Sequence, residues 1–135
     1  MAESAGAEQA YLFRHAMMRD AAYELQTPSQ RSGLHLLAME AIEKLIPGDE
    51  AAFELAGHAV AAAHAAPSPS LREREDAFLR RAANHAEARF DFERALVCTR
   101  RRIALGVGPV DQALHKAATL CFMIGDIKGA EDAIR

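Results

Sequence analysis

The sequence predicts an all-α protein of about seven helices joined by short turns, and three observations carry that prediction. Alanine dominates the apolar half of the chain, while aromatic residues make up 6% and tryptophan is absent. Alanine is the strongest helix former and a weak strand former. Helix stop and start signals divide the chain throughout. Finally, "ARFDFERALVCT" at Ala88–Thr99 returns 35 residues later as "MIGDIKGAEDAI" at Met123–Ile134, with the same Asp-bearing turn, bulky apolar residue and alanine.

The elements follow in order. Residues 1–10, "MAESAGAEQA", read as a disordered or added terminus, with neither the basic start nor the apolar stretch of a signal peptide. Ala16–Leu25 is the first expected helix. In "LQTPSQ", Thr27 is an N-cap, Pro28 takes the first helical position and Gln30 completes a capping box. Leu34, Leu37/Ala38, Ala41/Ile42 and Leu45 then hold one face apolar at helical spacing. "IPGDE" ends that helix and opens another, whose inner face is marked by Phe53, Ala56, Val60 and Ala63. "AAPSPS" is a break, since two prolines in three residues stop a helix. Ser70 with Glu73 is the expected cap of the next helix, and "GVGP" at Gly106–Pro109 breaks the chain again.

Composition excludes several classes. The net charge of −3 is uneven: residues 1–70 sum to −5, 71–102 to +3 and 103–135 to −1. The basic segment carries nine arginines among six acids, too mild a balance to argue for nucleic acid. No apolar run approaches the roughly 18–20 residues of a membrane span. Cys98 and Cys121 fall at apolar helix positions and read as reduced core thiols, which places the protein in the cytoplasm.

Superposing Phe90-Asp91-Phe92 on Gly125-Asp126-Ile127 matches Leu79, Ala82, Ala83 and Ala86 with Leu114, Ala117, Ala118 and Cys121. A helix–turn–helix period in the mid-thirties marks a helical solenoid. This pattern resembles the tetratricopeptide repeat, which implies antiparallel helix pairs stacked as a right-handed superhelix. Residues 71–105 form the better repeat and 109–135 a truncated one, within a repeat region of 47–135. Departures from the pattern are Ala83 and Ala118 in place of Gly, Thr99 in place of an aromatic residue and Arg102 in place of Ala.

Residues 11–46 carry a second resemblance. Phe13-Arg14-His15, Ala21-Ala22-Tyr23, Arg31, Leu34-His35 and Ala41-Ile42-Glu43 are similar to the segment joining the winged-helix end of the ATPase core to the helical-repeat arm in large signal-transducing ATPases. That family includes maltose-regulator-like transcription activators and ATPase modules fused to cyclases or kinases. The resemblance implies an extended Phe-Arg-His, then a helix, and a bacterial regulatory arm that binds an inducer, a protein partner or its own ATPase core. Here the turn is less basic than the family's, with Arg31 alone. No Walker motif is present, because "GVGP" lacks the Gly-Lys-Ser/Thr that cradles phosphates.

Chemistry within the chain is not indicated. His58 and His64 are six apart, so they do not form an i,i+4 chelate, and His15, His35, His85 and His115 lack partners at ligand spacing. No metal, cofactor or catalytic residue is therefore expected. Arg100, Arg101 and Arg102 offer an anion contact or a solvated face, with the Arg102 stem lying across a neighbouring helix and its head in water. The expected binding surface is the wall formed by the first helix of each repeat: Arg80, Asn84 and Glu87, then Gln112, His115, Lys116 and Thr119. Arg80 and Asn84, four apart, resemble half of the carboxylate clamp of peptide-binding tetratricopeptide domains; Lys116 stands where that clamp has Asn.

The function expected is thus a non-catalytic domain binding a protein or peptide, which includes another domain of the same parent chain. A small-molecule sensor using the Ala-lined interior, a free-standing adaptor and a DNA-linked module through Arg72–Arg102 are the alternatives. Because the repeat pattern stops at Arg135 within a second helix, one apolar face is expected to be uncovered, which implies a homodimer or a further capping helix.

Overall fold

A computed structural model describes residues 2–134, with side chains from Ser4 to Ile134. The helices are α1 (Ala2–Glu24), α2 (Pro28–Leu45), α3 (Ala52–Ala65), α4 (Pro69–Ala88), α5 (Phe92–Leu105), α6 (Val110–Ile124) and α7 (Ile127–Ile134). A single 3-10 turn at Asp49–Ala51 leads into α3, and no strand occurs among the described residues. From α2 onward every helix packs on its neighbours in sequence, so α2–α3, α4–α5 and α6–α7 stack as successive hairpins.

The turns explain why the chain divides where it does. Thr27 Oγ1 accepts from the Gln30 backbone N–H at 3.2 Å while Gln30 Oε1 accepts from the Thr27 N–H at 2.9 Å. This is a complete capping box with Pro28 at the first helical position. The 35-residue echo holds atom by atom. Asp91 N–H donates to Ala86 O at 2.8 Å, and Asp126 N–H donates to Cys121 O at 2.8 Å. The Asp91 carboxylate caps Arg94 N–H at 3.2 Å and that of Asp126 caps Gly129 N–H at 2.9 Å. The left-handed residue ending the first helix of each hairpin is Phe90 (φ 62°) in one and Gly125 (φ 89°) in the other. Gly106 closes α5 in the same conformation.

Two small cores run through the stack, which is how a solenoid of slender Ala-rich helices buries surface. One joins α2 to α5 around Met39, Leu55, Phe78, Leu79 and Cys98. The second joins α4 to α7 around Ala86, Leu96, Ala117, Leu120 and Cys121. Alanines fill the helix crossings in both.

Several elements differ from the sequence expectation. Residues 2–10 form the first turns of α1 instead of a disordered terminus, since Ala, Glu and Gln there are strong helix formers. Met1 and Arg135 lie outside the described residues. Phe13-Arg14-His15 is helical, not extended: with no strand beside it, the backbone satisfies its hydrogen bonds within α1. On α4 the cap position is Ser68, not Ser70, because Pro69 takes the first helical position, and no side chain bonds across the cap. On α2 the buried side is Ser32 and Met39 with Leu36 and Ile42 packed beside them, whereas Leu34, Leu37 and Leu45 face outward. On α3 the buried side is Ala52, Leu55, Ala56, Ala59 and Ala62, a rotation that leaves Phe53 at the surface.

Candidate functional site

The wall expected from α4 and α6 is assembled across the two helices by one lysine. Lys116 Nζ donates to Asn84 Oδ1 at 3.0 Å. It also lies 2.8 Å from Glu87 Oε1, a charge contact too poorly angled to be a hydrogen bond. Asn84 and Glu87 sit three apart on α4 and Lys116 on α6, so the lysine bridges the two helices. With the Asn84 oxygen engaged by Lys116, its amide N–H groups remain the free end of the side chain. Thr119 Oγ1 turns inward to its own helix, donating to His115 O at 3.0 Å. Gln112 and His115 are exposed beside it.

Arg80 stands one turn before Asn84 and is exposed. Its surroundings distinguish it from the other arginines of α4. Arg72 donates to Leu105 O at 3.0 Å, Arg74 pairs with Glu43 at 3.3 Å, and Arg81 binds Asp49 at 2.8 Å and Gly48 O at 3.2 Å. Arg80 alone of the four has neither ion pair nor hydrogen bond among the described residues.

Arg100, Arg101 and Arg102 do not converge on an anion site. Arg102, expected to keep its head in water, is buried and grips Asp76 of α4 with both branches, Nε to Oδ1 at 3.0 Å and Nη2 to Oδ2 at 3.4 Å. The guanidinium enters the interior because Asp76 neutralises it there. Arg101 Nη2 lies 3.6 Å from Glu75 Oε1. Arg100 reaches the other way, to Cys121 Sγ at 3.7 Å and towards Asp126 at 4.0 Å. Burial pushes the Glu75 carboxyl above its ordinary value, opposed by Arg101 and Arg72.

A polar cluster that the sequence reading passed over lies where α1 meets the stack. Tyr23 Oη and His35 Nε2 are 2.8 Å apart, and His35 Nδ1 lies 2.9 Å from His58 Nδ1 on α3. His58 Nε2 faces Glu54 at 3.8 Å. Arg31 lies over the Tyr23 ring and donates to the last carbonyls of α1, Nε to Tyr23 O at 2.9 Å and Nη2 to Glu24 O at 2.7 Å. Desolvation, then the neighbouring His58, lowers the pKa of His35. These residues are 12 and 23 positions apart, beyond the spacings at which local pairing is visible.

The remaining chemistry is sparse. Among the described residues, no group of three or more His, Cys, Asp or Glu side chains is placed to hold a metal ion. Cys98 is fully buried and desolvation raises its thiol pKa, the reverse of an activated nucleophile. A polar cleft of about 110 Å³ lies between Asp49, His85, Arg89 and Arg94. A groove of about 300 Å³ beside Pro67, Arg72 and Val107 opens to solvent. Neither encloses a ligand in the way small-molecule sites do. No described helix is long and apolar enough to cross a membrane.

No family model, curated protein or solved structure matches the chain.

Proposed function

We propose that this chain is a non-catalytic helical-repeat domain that binds a protein or peptide along the α4–α6 wall, as the regulatory arm of a larger bacterial signalling protein. The observation that carries the site is Arg80. On a helix whose other three arginines are held by carboxylates or carbonyls, one planar guanidinium is left exposed beside the free amide of Asn84. A guanidinium and an amide a helical turn apart suit two oxygens of a carboxylate, such as a peptide C-terminus. Lys116 adds positive charge next to them but is already shared between Asn84 and Glu87, so it tunes the wall more than it reads the ligand. The link to signalling ATPases rests on the sequence resemblance of residues 11–46.

Fluorescence anisotropy with a peptide library tests the site directly. Peptides ending in a free carboxylate are expected to bind, and their amidated forms to bind about tenfold more weakly, the loss of one charge-assisted hydrogen bond. Arg80→Ala is expected to abolish that difference without changing the unfolding midpoint. Equal binding of acid and amide forms, or the same preference in Arg80→Ala, overturns the assignment.

A further inference from the structure

Helix α1 is the anomaly of the fold. It spans 23 residues yet lies almost wholly in solvent, with Leu12, Phe13, Met17 and Met18 each more than half exposed. No described α1 side chain is buried, although several of them are large and apolar. The outer side of α2 is equally unpartnered: Leu37 is 62% exposed and Leu45 is 80% exposed, on the face opposite Met39. An end helix of a solenoid ordinarily turns a polar face outward. Here both faces of α2 are apolar.

The two bare surfaces fit each other. On α1 one stripe is Ala10, Phe13, Met17 and Ala21; on α2 the exposed stripe is Leu34, Leu37, Ala41 and Leu45. Both follow the same spacing of three, four and four residues, the seam by which two helices interlock. Laid antiparallel, as consecutive helices in this stack lie, Phe13 falls opposite Ala41, and Ala10 and Ala21 fall opposite Leu45 and Leu34. Large residues then meet small ones along most of the seam. Yet α1 does not fold back on its own α2. The elbow holds it away: Arg31 binds the last two carbonyls of α1, and Tyr23 is tied through His35 to His58 on α3.

We propose that α1 is an exchange arm, which lies antiparallel across the outer face of α2 in a second copy of this chain while receiving that copy's α1 in return. The exchange covers both bare stripes twice and leaves the α4–α6 wall free. Burying a Leu, Met or Phe removes roughly 100 Å² from water. Five such side chains per copy, with the intervening alanines, bring a two-fold dimer to on the order of 1,200 Å², where standard interfaces begin.

Sedimentation velocity on the full chain, over a wide concentration range, tests this together with disulfide trapping. Wild type is expected at twice 14.7 kDa. Leu37→Glu and Met17→Glu are each expected to raise the dissociation constant at least about a hundredfold while keeping wild-type circular dichroism, since neither side chain packs in a core. Mixing Met17→Cys chains with Leu37→Cys chains is expected to give a disulfide between the two variants on mild oxidation. A monomeric wild type overturns the proposal and gives the α1 and α2 faces to a different protein or domain. A dimer that survives Leu37→Glu overturns it too, as does a dimer in which Leu37→Cys crosslinks only to itself, which would be α2 packed on α2.

Discussion

Replacing Arg102 by methionine takes away half of the ion pair that clips α5 to α4. The two side chains are 8% and 12% exposed, so water screens the Asp76 charge little once the guanidinium is gone. The loop beside the pair runs close by at Gly108, where even a Cβ would meet Asp76 Oδ2 at 2.9 Å. Stranding a buried carboxylate in this way costs about 3–5 kcal/mol. For a domain of this length that is a large part of the ~5–15 kcal/mol total and corresponds to a fall in Tm of about 10–20 °C. The double substitution Asp76→Leu/Arg102→Met removes both charges, keeps the volume apolar and is expected to lie within about 1–2 kcal/mol of wild type. Urea unfolding followed by far-UV circular dichroism, run on both single variants and the double, gives the coupling energy. Additive costs, or an Arg102→Met variant within about 0.5 kcal/mol of wild type, would show that the pair is not the fastener its geometry describes.

The two equivalent turns make opposite predictions. Gly125→Ala, at φ 89°, is expected to lose about 1 kcal/mol, while Phe90→Gly, at φ 62° and highly exposed, is expected to gain about 0.5–1 kcal/mol, both read from urea midpoints. Thr27→Ala removes the Oγ1 acceptor that caps α2, leaving only the Gln30 half of the box, and is expected to cost about 1 kcal/mol. The folded-state pKa of His35 lies below 6.5, so its contribution is present above that pH and fades as pH falls through the window beneath it; His35→Gln flattens that part of a stability-against-pH curve. Glu75 has the opposite sign: its raised pKa favours the fold below 4.5, and that contribution is lost as pH rises through the folded value, so Glu75→Gln flattens the acid side.

Punctuation was legible in the sequence and orientation was not. The Thr27 cap, the Gly106 stop and the paired turns at Asp91 and Asp126 are local, made by residues within five positions of one another. Periodicity failed on α2 because it carries two apolar stripes, Leu34–Leu37–Ala41–Leu45 and Leu36–Met39–Ile42, and only packing against α3 selects the second. On α3 ten of the fourteen positions are alanine or another apolar residue, so the contrast that defines an inner face is weak. The repeat register set Asn84 and Glu87 on one helix and Lys116 on another, and the structure brings these three together. What could not be read was occupancy. That Lys116 is shared and Arg102 buried depends on partners 26 or more residues away in the chain.

On the proposed function, stability and binding divide along helix α4. It contributes to both cores, and most of its charged side chains, Arg80 apart, are shared among its neighbours: Arg74 and Arg81 to the α2 side, Arg72, Glu75 and Asp76 to α5, Glu87 to α6. Each of these is tied to a fixed partner, so a ligand that recruited one of them would have to compete with an existing pair. Arg80 carries no such debt, and the free amide of Asn84 is oriented by Lys116 without being used up. A ligand engaging these two groups would leave the contacts that hold the stack intact. On that proposal binding strength and fold stability are separable by mutation: substitutions at Arg80 are expected to act on the first, and substitutions at Asp76 or Arg102 on the second.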